Sequence, residues 1–211
     1  MPANNKKWQL ILASGSPRRR ELLGHTKVPF EVKTIPTKEE SNETNPCSFA
    51  LEIARQKGVV LCETLTPAAT VVVSADTVVA LNGKIYGKPR DRDEAREFLT
   101  ELAGRTHQVH TAVCLHYGWK ESWKRLEHVE TTEVDFNPLV PRLLEDYLLT
   151  GDSLDKAGAY GIQGQALTFI HEVRGCYANV VGFPLARFCS MMEQDFMKQI
   201  GEQGPWQNLF L

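Results

Sequence analysis

The chain has 211 residues, 24 Lys and Arg against 26 Asp and Glu, a formal charge of −2 and a pI near 6.3. That balance excludes the basic character of a nucleic-acid coat or a membrane-surface protein and favours a small anionic ligand. No apolar run approaches the roughly 20 residues of a membrane span. The five cysteines are odd in number and never spaced C-x-x-C, so the reading is a cytosolic, reduced protein with neither a disulfide framework nor a zinc site.

Strands alternate with helices, without repeats or low-complexity segments, which gives the α/β class. Trp8 to Ala13 reads as a buried strand and Pro17 to Leu23 as the first helix. Between them Ser14-Gly15-Ser16 turns the chain, Ser16 is a good N-cap, and Pro17 suits the first helical position, where no N–H is needed. The exposed N–H groups and partial positive charge of that helix end then lie beside Arg18, Arg19 and Arg20, whose guanidiniums fit phosphate oxygens. An arginine triplet alone is as often a solvated helix face; strand, turn and arginines together point to phosphate.

Further along, Pro46 to Leu61 carries Phe49, Ile53, Val60 and Leu61 at helical spacing, leaving Arg55 and Lys57 off the stripe. Thr70 to Ser74 is a β-branched strand that Thr77 to Leu81 continues past Ala75-Asp76, and Asn82-Gly83 marks a hairpin turn. Asp91 caps a helix burying Ala95, Phe98, Leu99 and Leu102, ended by Gly104. His107 to Tyr117 and Trp123 to Phe136 form a long antiparallel pair. Asn137-Pro138 opens a helix with Leu139, Leu143, Tyr147 and Leu148 inward. Leu167 to Val173 and Cys176 to Val181 read as a last hairpin through Arg174-Gly175. Pro184 starts a terminal helix with Leu185, Phe188, Met192 and Phe196 inward, and residues 201–211 are left unassigned.

Asp76 interrupts one of the most apolar stretches of the chain. A carboxylate there must be paired, bound to metal or opened to a cleft, because burying it alone is very costly. A turn aspartate between two short strands is the alternative. Glu39-Glu40 reads as a solvated loop pair that gains meaning only in company: oxygen ligands suit Mg²⁺ or Mn²⁺, and one or two carboxylates plus substrate phosphates are the usual way Mg²⁺ is held. Lys88, between Gly87 and Pro89 at a strand end, suits a phosphate contact, although the surrounding glycines lack the spacing of a P-loop. His107 and His110, three apart on a strand, fall on opposite faces and do not share a metal. In Leu154 to Gly164 three glycines let backbone approach a flat group, and the Gln163 amide offers a donor and an acceptor to a base edge; a tight structural loop is the alternative.

Four blocks, Ser14-Gly-Ser-Pro-Arg-Arg19, Ala75-Asp-Thr-Val78, Gly87-Lys-Pro89 and Asp155-Lys-Ala-Gly-Ala-Tyr-Gly-Ile-Gln163, resemble the signature blocks of the Maf proteins, which are nucleoside triphosphate pyrophosphatases. The resemblance runs in order from about Leu10 to Pro184. It implies a single catalytic domain over residues 8–200 with a fold similar to the inosine triphosphate pyrophosphatases: a mixed elongated sheet, flanking helices and two lobes around a deep cleft. It also implies hydrolysis of a nucleotide to monophosphate and pyrophosphate with Mg²⁺ or Mn²⁺. In that scheme Asp76 is the proton acceptor, Glu39 and Asp76 bind the metal, and Ser14, Arg19, Lys57 and Lys88 hold phosphates. Arg18, Thr77 and Gln163 look like the subgroup acting on dTTP and UTP; the 7-methyl-GTP subgroup carries glutamine after the catalytic aspartate. Thr37-Lys38 stand where the family usually has an apolar or acidic pair, so which of Glu39 and Glu40 binds metal is open. The expected partner is a small nucleotide, with no nucleic acid and no membrane, and a homodimer is left open. A 7-methyl-GTP pyrophosphatase and a non-catalytic nucleotide-binding regulator are the alternatives.

Overall fold

A computed structural model describes residues 7–211. The β-branched run forms one long central strand, β3 (Thr70–Leu81), with eleven of its twelve residues buried. Strand β1 (Gln9–Leu12) lies parallel to it, pairing Leu12 with Val73, and the two-residue β2 (Glu31–Val32) lies parallel to β1 at the edge. The Asn82-Gly83 turn folds β4 (Lys84–Tyr86) back onto the far end of β3, with Asn82 and Gly83 both at positive φ, as this type of hairpin requires. On the other side of β3 run β5 (Thr106–Trp119), β6 (Ser122–Phe136) and β7 (Ile170–Arg174), all antiparallel. The result is a mixed seven-stranded sheet of order β2-β1-β3-β5-β6-β7, with β4 on β3.

Because side chains alternate across a strand, the two faces of β3 divide cleanly. The even face carries Ser74, Asp76 and Val78 and is covered by helix α2 (Pro46–Cys62), whose Ala50 and Ala54 pack on Val78, Ala112 and Cys114. The odd face supports two separate hydrophobic clusters. One gathers Val71, Val73 and Ala75 with Val113 and Leu115, the helix α1 (Pro17–Gly24) and the chain after Phe183. The other gathers Val79 and Leu81 with Val109, the helices α3 (Arg92–Leu102) and α4 (Pro141–Leu149), Tyr160 and Phe169. Between them lies one polar row, the register pair Thr77 and Thr111. That interruption separates the two clusters.

Two expectations are corrected. The segment after β7 is a helix, α5 (Tyr177–Val181), and not the second arm of a hairpin; only Ile170–Arg174 joins the sheet. Tertiary hydrogen bonds override the β-branched Val180-Val181, because the buried Asn179 side chain reaches Val109 O and Thr132 Oγ1, both at 2.9 Å, and Gly182 ends the turn at φ +117°. The helix expected after Pro138 starts at Pro141 instead, where the ring again takes the first helical position, and this register buries Leu144 and leaves Leu143 39% exposed. The terminal helix runs from α6 (Leu185–Ser190) through a π-turn at Met191–Phe196 into α7 (Met197–Ile200). Beyond it a single turn, Trp206–Leu209, buries Trp206 and Phe210 in the first cluster.

Candidate active site

On the side away from β5, β3 pairs with β1 through Val73 and with β4 from Val79 onward. Residues 74–78 face no strand there among the described residues, so the sheet has a gap at the carboxyl end of β1, the kind of position where open α/β sheets bind ligands. A cleft of about 1070 Å³ opens at this gap. It is lined by Ser14, Arg18, Arg19, Glu39, Lys57, Asp76, Thr77, Lys88 and Gln163, so all the expected site residues converge. Since Asp76 and Thr77 are neighbours on a strand, they serve opposite faces, and the cleft reaches both through the gap.

The even-face wall is charged. Lys57, one of the residues off the apolar stripe of α2, places its ammonium 2.7 Å from Asp76 Oδ1 and 3.0 Å from Glu39 Oε1. Burial pushes the Asp76 carboxyl above the ordinary carboxylate range, against the opposing pull of Lys57 and Arg19. Glu40 lies outside the cleft and reaches Lys38 at 3.6 Å, so of the two adjacent glutamates it is Glu39 that faces the lysine. Asp76 and Glu39, two hard oxygen donors on one cationic centre, fit Mg²⁺ or Mn²⁺ shared with ligand phosphates. Among the described residues no cluster of three or more His, Cys, Asp or Glu forms an all-protein metal cage, so phosphate oxygens would have to complete such a shell.

The turn wall follows the anion-binding pattern. Ser16 caps α1 by accepting from the Arg19 N–H, Pro17 takes the first position, and no acidic side chain stands in the first turn to cancel the helix end. The Arg19 guanidinium reaches back into the sheet gap. It donates to Ala75 O at 2.8 Å, Gly182 O at 2.9 Å, Thr77 Oγ1 at 3.1 Å and Ser14 Oγ at 3.3 Å, which leaves one of its five N–H groups for a ligand. Desolvation lowers its pKa, partly offset by Asp76 and Glu39. Arg20 lies outside the cleft, exposed in a shallow neighbouring groove.

The third wall is the glycine-rich block. Gly158 adopts φ +67° and donates its N–H to Gly87 O at 3.0 Å, tying this block to the strand end that carries Lys88. A side chain at Gly158 would come within 2.8 Å of Val79, so only glycine allows that approach. The exposed Lys88 makes no ion pair among the described residues. Arg18 meets Asp155 at 3.2 Å, and Asp155 also meets the buried Lys156 at 2.7 Å. Gln163 stands exposed at the rim. Asp155 and Lys156 fall inside the glycine-rich block, but the sequence reading gives them no role of their own. Thr111, Asn179 and Gly182 lie outside it and enter only through the fold.

The cleft thus joins a buried carboxylate, a shared lysine and a helix end with spare positive charge, the equipment of a protein acting on an anionic phosphate ester or anhydride. The chain belongs to the Maf family: residues 9–195 match the model of the Maf-like proteins. A "dTTP/UTP pyrophosphatase" of Deinococcus radiodurans is 46% identical over 88% of this chain and 92% of its own length. Relatives with the same description in Carboxydothermus hydrogenoformans and Pyrococcus horikoshii are 43% and 46% identical, over 85% and 83% of this chain and 94% and 91% of theirs. A solved structure, that of the Staphylococcus aureus Ham1 protein, overlaps 77% of this chain and 91% of its own with a TM-score of 0.44 at 16% identity. No helix among the described residues is long and apolar enough to cross a membrane.

Proposed function

We propose that this chain is a nucleoside triphosphate pyrophosphatase acting on dTTP and UTP. The observation that carries the reading is the buried Asp76, paired with Lys57 at the floor of a cleft whose rim is the anion-binding turn from Ser14 to Arg19. The relatives described as dTTP/UTP pyrophosphatases support it, because they align over most of this chain. Triphosphate oxygens lie against the α1 turn, Lys57 and Lys88. The pyrimidine ring lies toward Arg18, Thr77 and Gln163.

A water molecule attacks the α-phosphorus, the bond from that phosphorus to the bridging oxygen breaks, and pyrophosphate leaves. Asp76 takes the proton of the water, and burial suits it to that task by raising its basicity. Arg19 and the two lysines neutralise charge building on the leaving group, where positioning and electrostatics dominate. A divalent cation held by Asp76 and Glu39 would supply Lewis-acid polarisation of the phosphate. Incubation of the purified protein with Mg²⁺ or Mn²⁺ and dTTP, UTP, CTP or 7-methyl-GTP tests the reading. The expected products are monophosphate and pyrophosphate, with dTTP and UTP preferred. Release of orthophosphate and a diphosphate overturns the bond assignment, and preference for 7-methyl-GTP overturns the base assignment.

A further inference from the structure

On the face opposite Asp76, the Thr77 hydroxyl sits in a chain of hydrogen bonds whose direction is determined by its ends. Arg19 Nη2 lies 3.1 Å from Thr77 Oγ1, Thr77 Oγ1 lies 3.0 Å from Thr111 Oγ1, and Thr111 Oγ1 lies 2.9 Å from the backbone carbonyl of Asn179. A guanidinium only donates and a carbonyl only accepts. The single Thr111 proton therefore goes to Asn179 O, and Thr111 accepts the single proton of Thr77. One Thr77 lone pair is taken by Arg19. What Thr77 has left for the cleft is one lone pair and no hydrogen.

The chain is held rigidly at its far end. Asn179 is fully buried and its amide donates to Val109 O and Thr132 Oγ1, both at 2.9 Å. Its carbonyl also accepts from the Gly182 N–H at 2.9 Å, and the Gly182 carbonyl in turn accepts from Arg19 Nε at 2.9 Å. One turn of backbone, from Asn179 to Gly182, thus positions both neighbours of Thr77. An ordinary threonine hydroxyl rotates to suit its ligand; this one cannot reverse without losing its hydrogen bond to the buried Thr111 and setting two oxygen lone pairs against each other.

We propose that Thr111 is a positioning residue for specificity: it makes Thr77 an acceptor-only contact, which selects a ligand group bearing a hydrogen, such as the N3–H of a uracil or thymine ring. The N3 of cytosine, an acceptor, meets a lone pair there and is rejected. This inference rests on the proposed reading in which Thr77 faces the base.

The test measures kcat/KM for UTP and CTP on the wild type, Thr111→Val and Thr111→Ser, with melting temperatures alongside. The wild type is expected to favour UTP. Thr111→Val frees the Thr77 proton to turn toward the cleft, so the UTP to CTP ratio drops by about tenfold, chiefly through gain or retention of CTP turnover. Thr111→Ser, which keeps the hydroxyl, restores the ratio. A merely structural role for Thr111 lowers both substrates in proportion and leaves the ratio unchanged, which overturns the inference. Should Thr111→Val not fold, Thr111→Ser and Thr111→Ala decide between the same two outcomes. A wild type that cleaves UTP and CTP equally also overturns the inference while the pyrophosphatase reading stands; one that cleaves neither takes both down.

Discussion

The two faces of β3 at Asp76 and Thr77 are one residue apart and are built on opposite plans. The Asp76 face is sparsely paired: one carboxylate, one lysine and a half-exposed glutamate whose loop has no regular structure. The Thr77 face is saturated: arginine, two threonines and a helix turn spend nearly every donor on one another. The first face supplies charge for the chemistry, and the second supplies fixed hydrogen-bonding groups for recognition. A strand with both edges paired would offer a ligand only one of these faces, and the gap in the sheet offers both.

The largest expected effect breaks the charged face alone. Asp76→Asn keeps the volume but removes the base and one metal charge, so kcat should fall by roughly 10²-fold or more with the fold intact. Circular dichroism and nucleotide binding check the fold and the site; near-wild-type turnover would make Asp76 structural. A pH series on the wild type sharpens the same point. Because burial raises the Asp76 pKa above its ordinary 3.8, the base form appears only at higher pH, and the acid limb of kcat/KM should lie above that value. The sign for stability is opposite: ionising Asp76 is harder in the folded state, so its contribution is present at low pH and lost as pH rises through the raised value. An acid limb at or below 3.8 would contradict the raised carboxyl. The smallest effect separates two neighbours. Glu39→Gln should raise the metal concentration for half-maximal activity several-fold, about what loss of one of two carboxylates implies, while Glu40→Gln should not change it. Reversed ranking in a metal titration would move the ligand by one residue. Thr111→Val belongs to the opposite face and should leave the metal requirement alone.

What the sequence disclosed follows the same division. The Ser-Gly-Ser-Pro turn, the long β-branched strand and the buried aspartate are local signals, since capping, propensity and the cost of an unpaired charge act within a few residues. The choice of Glu39 over Glu40 depends on where a loop crosses α2, which residue spacing does not encode. On the Thr77 face only Thr77 and Arg19 are legible: Thr111 reads as an ordinary strand threonine, and Asn179 lies in a segment whose valines favour strand until tertiary hydrogen bonds make it a helix.

Arg19 also occupies the open edge of β3. A central strand left unpaired over five residues is a template on which the edge of another molecule can add, and such edges seed aggregation unless something charged blocks them. By donating to the Ala75 carbonyl, the Arg19 guanidinium plugs that template with a fixed positive charge. The opening that admits a substrate thus has one of its backbone acceptors already taken by a charged side chain.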